Sequence, residues 1–214
     1  LRRLETVRRE FVANVSHELK TPITSIKGVV ETLLVGAYRN PEGALNFLGI
    51  VAKQADRLNA IIEDLLMLSR LEQEAREDKP ALAVTPVRKP LQAAVQACAV
   101  RARERQVTVD LSCPEDLAAP MNAALIEQAA INLIDNAVKF SEVGGRVRVE
   151  AGRGGDGVAI RVRDEGCGIS REHLPRLFER FYRVDKGRSR KQGGTGLGLA
   201  IVKHIVKVHG GTVG

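Results

Sequence analysis

The sequence predicts an α+β chain in two parts: a two-helix hairpin that pairs with a second copy into a four-helix bundle, then a mixed α/β domain. Three observations lead there. Apolar residues recur with helical period over the first 75 or so residues, Pro80, Pro86 and Pro90 then break the pattern, and short alternating apolar runs follow, interleaved with helical ones.

Residues 2–36 read as the first helix. At about 100° per residue, Leu4, Phe11, Val15, Leu19, Ile26, Val30 and Leu33 fall on one stripe, and His17 falls on roughly the opposite side, facing water. Pro22 lacks an N–H and is expected to bend this helix just after the histidine. A turn at 36–40 follows, and Asn40-Pro41-Glu42 supplies a capping side chain, a proline at the first helical position and an acid in the first turn. The second helix runs to about residue 75, with Ala44, Leu48, Val51, Ala55, Leu58, Ile62 and Leu65 spaced by threes and fours as in a heptad seam. One hairpin cannot bury both stripes, and two copies can, so the sequence predicts a homodimer. Residues 76–90 read as a linker with a short strand near 84–87. The period then predicts helix at 91–105, strand at 107–111, helix at 123–140, a β-hairpin at 146–151 and 158–163, a short helix near 171–179, a basic loop and a helix at 196–209.

The 214 residues are 44% hydrophobic but only 3% aromatic with no Trp, so Leu, Ile, Val and Ala must build the core. No run of 18 apolar residues occurs, and no signal peptide is visible, since Leu1-Arg-Arg-Leu-Glu reads as a helix already under way. The chain reads as cut from something longer, and Gly210–Gly214 reads as a turn and the start of an unfinished strand. A net charge of +7 admits nucleic acid as a partner, but no aromatics interleave the basic residues and acids are mixed through the helices, which argues against it. One basic concentration stands out: Arg183, Lys186, Arg188, Arg190 and Lys191, either a solvated loop or a mobile cover over a polyanion. Cys98, Cys113 and Cys167 make neither a CxxC pair nor a metal spacing, which points to a reducing compartment and no structural metal.

Four segments carry chemistry. A water-facing neutral imidazole, His17, is a competent nucleophile near pH 7, although a lone surface histidine usually does nothing. Asp164-Glu-Gly-Cys-Gly168 follows an apolar strand; the acid can accept a hydrogen bond from an exocyclic amine while Gly166 and Gly168 admit a ligand, or the segment is simply a tight turn. Gly193-Gly-Thr-Gly-Leu-Gly198 opens a helix whose free N–H groups suit phosphates, or it is a hinge; it is neither a P-loop nor a Rossmann glycine run. Asn132, Asn136 and Lys139 share one helical face, offering an amide oxygen for Mg²⁺ and an ammonium for phosphate, or ordinary surface polarity.

In this order the motifs resemble the histidine kinases of two-component systems over nearly the whole chain: His-Glu-Leu-Lys-Thr-Pro (17–22), Asn-Leu-Ile-Asp-Asn-Ala (132–137), Asp-x-Gly-x-Gly (164–168), Leu-Phe-Glu-Arg-Phe-Tyr-Arg (177–183) and Gly-Gly-Thr-Gly-Leu-Gly-Leu (193–199). The lead-in to His17 is most similar to sensors of the phosphate-regulon type. The resemblance implies a dimerisation and phosphotransfer hairpin at 1–76, a linker at 77–90 and, at 91–214, an ATP-binding α/β sandwich of the kind shared with gyrases and chaperones. It implies ATP and Mg²⁺ as cofactors, His17 as phospho-acceptor, Glu18 as its base, and Thr21 as the residue that orients water for dephosphorylating a partner. Asn136 would hold the metal, Asn132 and Lys139 would approach the phosphates, and Asp164 would read adenine beside Gly166 and Gly168. Residues 184–192 would be a lid anchored by Phe178 and Phe181, with Gly194, Thr195, Gly196, Leu197 and Gly198 at the phosphates. The implied partner is the receiver domain of a response regulator, and the implied setting is the cytoplasmic portion of a protein anchored in the bacterial inner membrane. Two departures stand out: Asn122 replaces an expected Asp and caps a helix equally well, and the chain stops short of two further strands usual in the family, which leaves a sheet edge open. His173, His204 and His209 lack such company and read as structural. Rival readings are an ATPase clamp of the gyrase and chaperone type, which lacks the histidine helix, and a dimeric scaffold with a degenerate pocket.

Overall fold

The computed structural model describes residues 2–74, 82–155, 157–184 and 194–214, with the side chains of 2–8, 10 and 74 left aside. The Leu4 side chain, residues 77–81 of the expected linker, and most of the expected lid with Lys186, Arg188, Arg190, Lys191 and Gly193 lie outside the described residues.

The hairpin consists of α1 (Arg2–Leu34), a 3₁₀ turn (Ala37–Arg39) and α2 (Pro41–Glu74). Helix α1 runs through Pro22 rather than stopping there. The missing N–H costs one ladder bond, at the carbonyl of Glu18, and leaves the helix intact on both sides. Gly36 turns the chain at φ 131°, where a side chain would be strained. The Asn40 side chain caps α2 as expected, accepting from the Gly43 N–H at 3.3 Å.

The second unit holds β1 (Ala83–Pro86), α3 (Arg88–Glu104), β2 (Thr108–Ser112), β3 (Ala118–Met121), α4 (Ala123–Phe140), β4 (Arg146–Gly154), β5 (Gly157–Arg163), a 3₁₀ turn (Arg171–Arg176) and α5 (Gly198–Val208). Strand β4 is central in a three-stranded sheet, parallel to β2 and antiparallel to β5, while β1 and β3 form a separate antiparallel pair. Along β4, Val147 and Val149 point inward and Arg146 and Arg148 outward, the period-2 alternation of a half-buried strand. Helices α3 and α4 cover that inner face with Leu91, Ala94, Cys98, Ile134 and Val138.

Four expectations change. Residues 83–90 are not linker: β1 pairs with β3 and Val87 and Pro90 are buried, so the apolar seal of the second unit begins before residue 91. Strand β3 was not foreseen, because Ala-Ala-Pro-Met carries no β-branched residue. The helix expected at 171–179 is a 3₁₀ turn ending at Arg176, with Pro175 inside it. Residues 211–214 form no strand.

The two units meet through α2. Its far end, Leu68 and Leu71, packs with Leu197, Ile201 and Ile205 around α5 and with Leu125 and Ala129 of α4, making a second core.

Candidate functional site

Helix α4 is the spine of the site. Its apolar face is locked into the core by Ile134 and Val138, which turns Asn132, Asn136 and Lys139 to the other side. From Asn132 to Lys139 is about 10 Å along the axis. At the Asn132 end lies the start of α5: a Cβ on Gly198 would stand 3.1 Å from the Asn132 amide oxygen, so glycine there keeps the helix start open to α4. The Asn132 amide nitrogen is buried with no partner among the described residues. At the Lys139 end lies the Asp164 turn, tied to α4 by a bridge between Ser141 and Gly166. Gly166 is obligatory there, since a Cβ would meet the Phe140 carbonyl oxygen at 2.5 Å. Asp164 is exposed, and its Oδ1 accepts from the Gly166 N–H at 2.9 Å. Gly168 turns at φ 69°.

Lys139 is 9% exposed, and its pKa is pushed down to about 8 by burial first and then by the positive charges of Arg101, Arg183, Arg105 and Arg57. Burial and nearby positive charge favour an anion beside this ammonium. No cluster of three His, Cys, Asp or Glu occurs among the described residues, so the protein offers a metal no all-protein cage. A single Asn136 amide oxygen fits Mg²⁺ in the manner usual for that ion, which takes its remaining ligands from phosphates and water.

The glycine-rich segment is turned toward the hairpin. Thr195 Oγ1 donates to Asp64 of α2 at 2.6 Å and accepts from the Leu197 N–H at 3.2 Å. The Leu197 side chain is fully buried in the second core, so only its backbone is available to a ligand. Burial raises the pKa of Asp64, against the Thr195 hydrogen bond, which lowers it. Gly196 at φ 79° faces Phe181 at φ 62°, and the Phe181 N–H donates to the Gly196 carbonyl at 2.7 Å. A left-handed aromatic residue is strained, and this one is an expected anchor of the lid. Its ring meets Phe11 of α1, centroids 6.0 Å apart, and Arg180 pairs with Glu72. Phe178 is half-buried, as is Gly194.

The His17 side chain is 66% exposed, with Nδ1 3.9 Å from Glu18 Oε1. Glu18 itself is only 8% exposed. Its Oε2 accepts from Arg57 of α2 at 2.9 Å and from Arg183 of the second unit at 2.9 Å. Arg183 also donates to the Thr195 carbonyl at 2.7 Å, so one guanidinium joins the glycine segment to the carboxylate beside His17. Thr21, one turn on, donates its hydroxyl to the His17 carbonyl at 3.1 Å. His173 meets the Tyr182 hydroxyl, and His209 accepts from the Asn122 N–H; both are structural contacts.

Sequence reasoning missed Arg57, Asp64, Arg180 and Glu72. Arg57 and Asp64 lie seven residues apart, on one face of α2 away from the seam, and that spacing was the available signal.

A histidine is presented to water by a helical hairpin, and its neighbouring carboxylate is gripped by a separate α/β unit, which makes a two-unit module. The comparisons agree. Residues 7–74 match the His Kinase A (phospho-acceptor) domain, and residues 121–214 match the histidine kinase-, DNA gyrase B- and HSP90-like ATPase family. The chain is 39% identical over 211 residues to the sensor-like histidine kinase SenX3 of Mycolicibacterium smegmatis, covering 99% of this chain and 54% of that protein. It is 39% identical over 207 residues to the phosphate regulon sensor protein PhoR of Pseudomonas aeruginosa, covering 96% and 46%. The solved structure of the Acinetobacter baumannii histidine kinase AdeS superposes with a TM-score of 0.69 at 25% identity, covering 90% of this chain and 86% of that one. The chain belongs to the sensor histidine kinases of two-component systems, and it spans about half the length of the curated relatives it matches.

Proposed function

We propose that this chain is the phosphorylating core of its protein: it transfers the γ-phosphoryl group of ATP to His17 and then to an aspartate on the receiver domain of a response regulator. The observation that carries this reading is the placement of His17, exposed beside a carboxylate that the nucleotide-type unit already reaches through Arg183. Phosphoryl transfer asks a protein for positioning and charge neutralisation more than for covalent chemistry. His17 is the nucleophile and Glu18 the base. Asn132 and Lys139 meet the phosphates together with the backbone of Gly194, Gly196 and Gly198, Asp164 reads the adenine amine, and Phe178 and Phe181 anchor the lid. Mg²⁺, held by Asn136, supplies further neutralisation when bound. Thr195 joins this set once it leaves Asp64. Thr21 orients water for dephosphorylating the regulator, which requires its hydroxyl to turn away from the His17 carbonyl.

Residues 1–76 form the dimerisation and phosphotransfer hairpin and residues 91–214 the catalytic domain, to which 83–90 are added on the pairing of β1 with β3 and the burial of Val87 and Pro90. The working form is a homodimer. No described helix is long and apolar enough to cross a membrane. The greater length of the relatives supports reading this stretch as the cytoplasmic portion of a chain anchored in the bacterial inner membrane.

Replacing His17 with Gln tests the reading. Labelling of the protein by γ-³²P-ATP should vanish while nucleotide binding by calorimetry stays intact. Retained acid-labile label refutes His17 as acceptor, and sustained ATP turnover with no labelled wild-type protein favours the ATPase clamp.

A further inference from the structure

We infer that Arg57 is a positioning residue for phosphorylation of His17: from α2 it holds one oxygen of Glu18 so that the other stays aimed at the imidazole. The inference rests on the proposed role of Glu18 as base. The two oxygens of Glu18 are divided in the structure. Oε2 takes Arg57 Nη2 and Arg183 Nη2, both at 2.9 Å, whereas Oε1 faces His17 Nδ1 at 3.9 Å and lies 3.5 Å from Arg183 Nη1. A contraction of about 1 Å turns that approach into a hydrogen bond.

The two arginines differ in what they belong to. Arg183 is on the second unit and also grips the Thr195 carbonyl, so it leaves Glu18 whenever that unit moves. Arg57 is on the same hairpin as Glu18 and stays through any such rearrangement. Its side chain is 10% exposed, so its ion pair is little screened. Its Nε is buried and has no partner among the described residues, so Glu18 is the contact that accounts for its burial. Among the described residues, the charged and titratable groups that meet the carboxylate are His17 from α1, Arg57 from α2 and Arg183 from the second unit.

With Nδ1 toward Glu18, the other ring nitrogen, Nε2, points outward. Its lone pair forms the bond to the γ-phosphorus, the phosphorus–oxygen bond to ADP breaks and leaves its electron pair on ADP, and the Nδ1 proton passes to Glu18 Oε1. A base held by a cation on its own hairpin stays oriented at that moment.

The test compares Arg57→Gln and Arg57→Lys in single-turnover autophosphorylation with saturating Mg-ATP. For Arg57→Gln the rate should fall at least about ten-fold, because the carboxylate loses the contact on its own hairpin that aims it. Arg57→Lys should restore most of the rate, and the Kd for ATP should match the wild type in both. A wild-type rate in Arg57→Gln overturns the inference, as does a loss that Arg57→Lys leaves unrepaired. Should Arg57→Gln fail to fold, Arg57→Met, which keeps an apolar stem without the charge, decides: a rate loss with ATP affinity kept supports the inference and a wild-type rate overturns it. Failure of the underlying reading shows separately, as label surviving in His17→Gln.

Discussion

The hairpin and the C-terminal unit solve the burial problem differently. In the C-terminal unit Val87, Leu91, Ile134, Val138, Val147 and Val149 are all fully buried within one chain. In the hairpin, Val12, Ile23, Leu45, Leu48, Ile62 and Leu66 are each more than 45% exposed. Those of α2 include Leu48 and Ile62 from the predicted seam, while two of the three apolar residues α2 buries, Leu68 and Leu71 but not Ile61, belong to the core it shares with α5. One unit closes on itself. The other presents an apolar face that asks for cover, which is what the proposed pairing with a second hairpin would give it.

The largest expected effect is on that face. Leu48→Glu with Ile62→Glu should convert dimer to monomer in light scattering while the thermal transition of the C-terminal unit is kept; a persistent dimer would mean that another surface holds the copies together. Next is the converse substitution. Ile134→Ala opens a cavity in the closed core and should lower its stability by about 2–5 kcal/mol in urea unfolding, leaving the dimer intact. A loss under 1 kcal/mol would mean that the unit repacks freely.

How much of this was legible in the sequence follows the same division. Local rules served well: the Asn40 cap, α4 from 123 to 140, and the alternation of β4 and β5 were readable because each depends on neighbours a few residues away. Strand β3 was hidden because its pairing with β1 lies far along the chain and its residues have no strand propensity of their own. The site showed the same limit. His17, Asn132, Asn136, Lys139 and Asp164 stood in readable motifs, but the grip of Arg57 and Arg183 on Glu18 joins segments 39 and 165 residues apart. Charges on a helix face read as solvated until the partner is seen, and for Arg57 and Asp64 the partner is on another element.

The third prediction concerns Lys139. Its folded-state pKa of about 8 lies below the ordinary lysine value, so an anion that favours the charged form must raise it. Binding then takes up a proton above pH 8. ATP affinity should be flat below about pH 7 and fall by up to ten-fold per unit above pH 8, and Lys139→Gln should flatten that fall. For the free protein the sign is opposite: between pH 8 and the ordinary lysine value the unfolded chain binds more protons, so stability gains as pH rises there. A pH-independent affinity in the wild type would remove Lys139 from the phosphate site.

The smallest effect compares two helix ends. Helices α3 and α5 both close with a left-handed residue, Gln106 at φ 56° and Gly210 at φ 71°. In each, crossed backbone bonds run from that residue and the next back into the last turn: Gln106 and Val107 donate to Arg103 and Ala102, Gly210 and Gly211 to Lys207 and Val206. Only Gln106 bears a Cβ there. Gln106→Gly should therefore stabilise the C-terminal unit by about 1 kcal/mol in denaturant unfolding. A loss of stability would show that the glutamine side chain contributes more than its backbone strain costs.

The most direct measurement is the chemical location of the phosphoryl group. Wild-type protein incubated with Mg-ATP, digested at neutral to mildly alkaline pH and mapped by mass spectrometry should carry one modification, acid-labile and base-stable, on the peptide that contains His17. An acid-stable phosphate, or one on His173, His204 or His209, would contradict the assignment of the hairpin as acceptor and of the C-terminal unit as its donor.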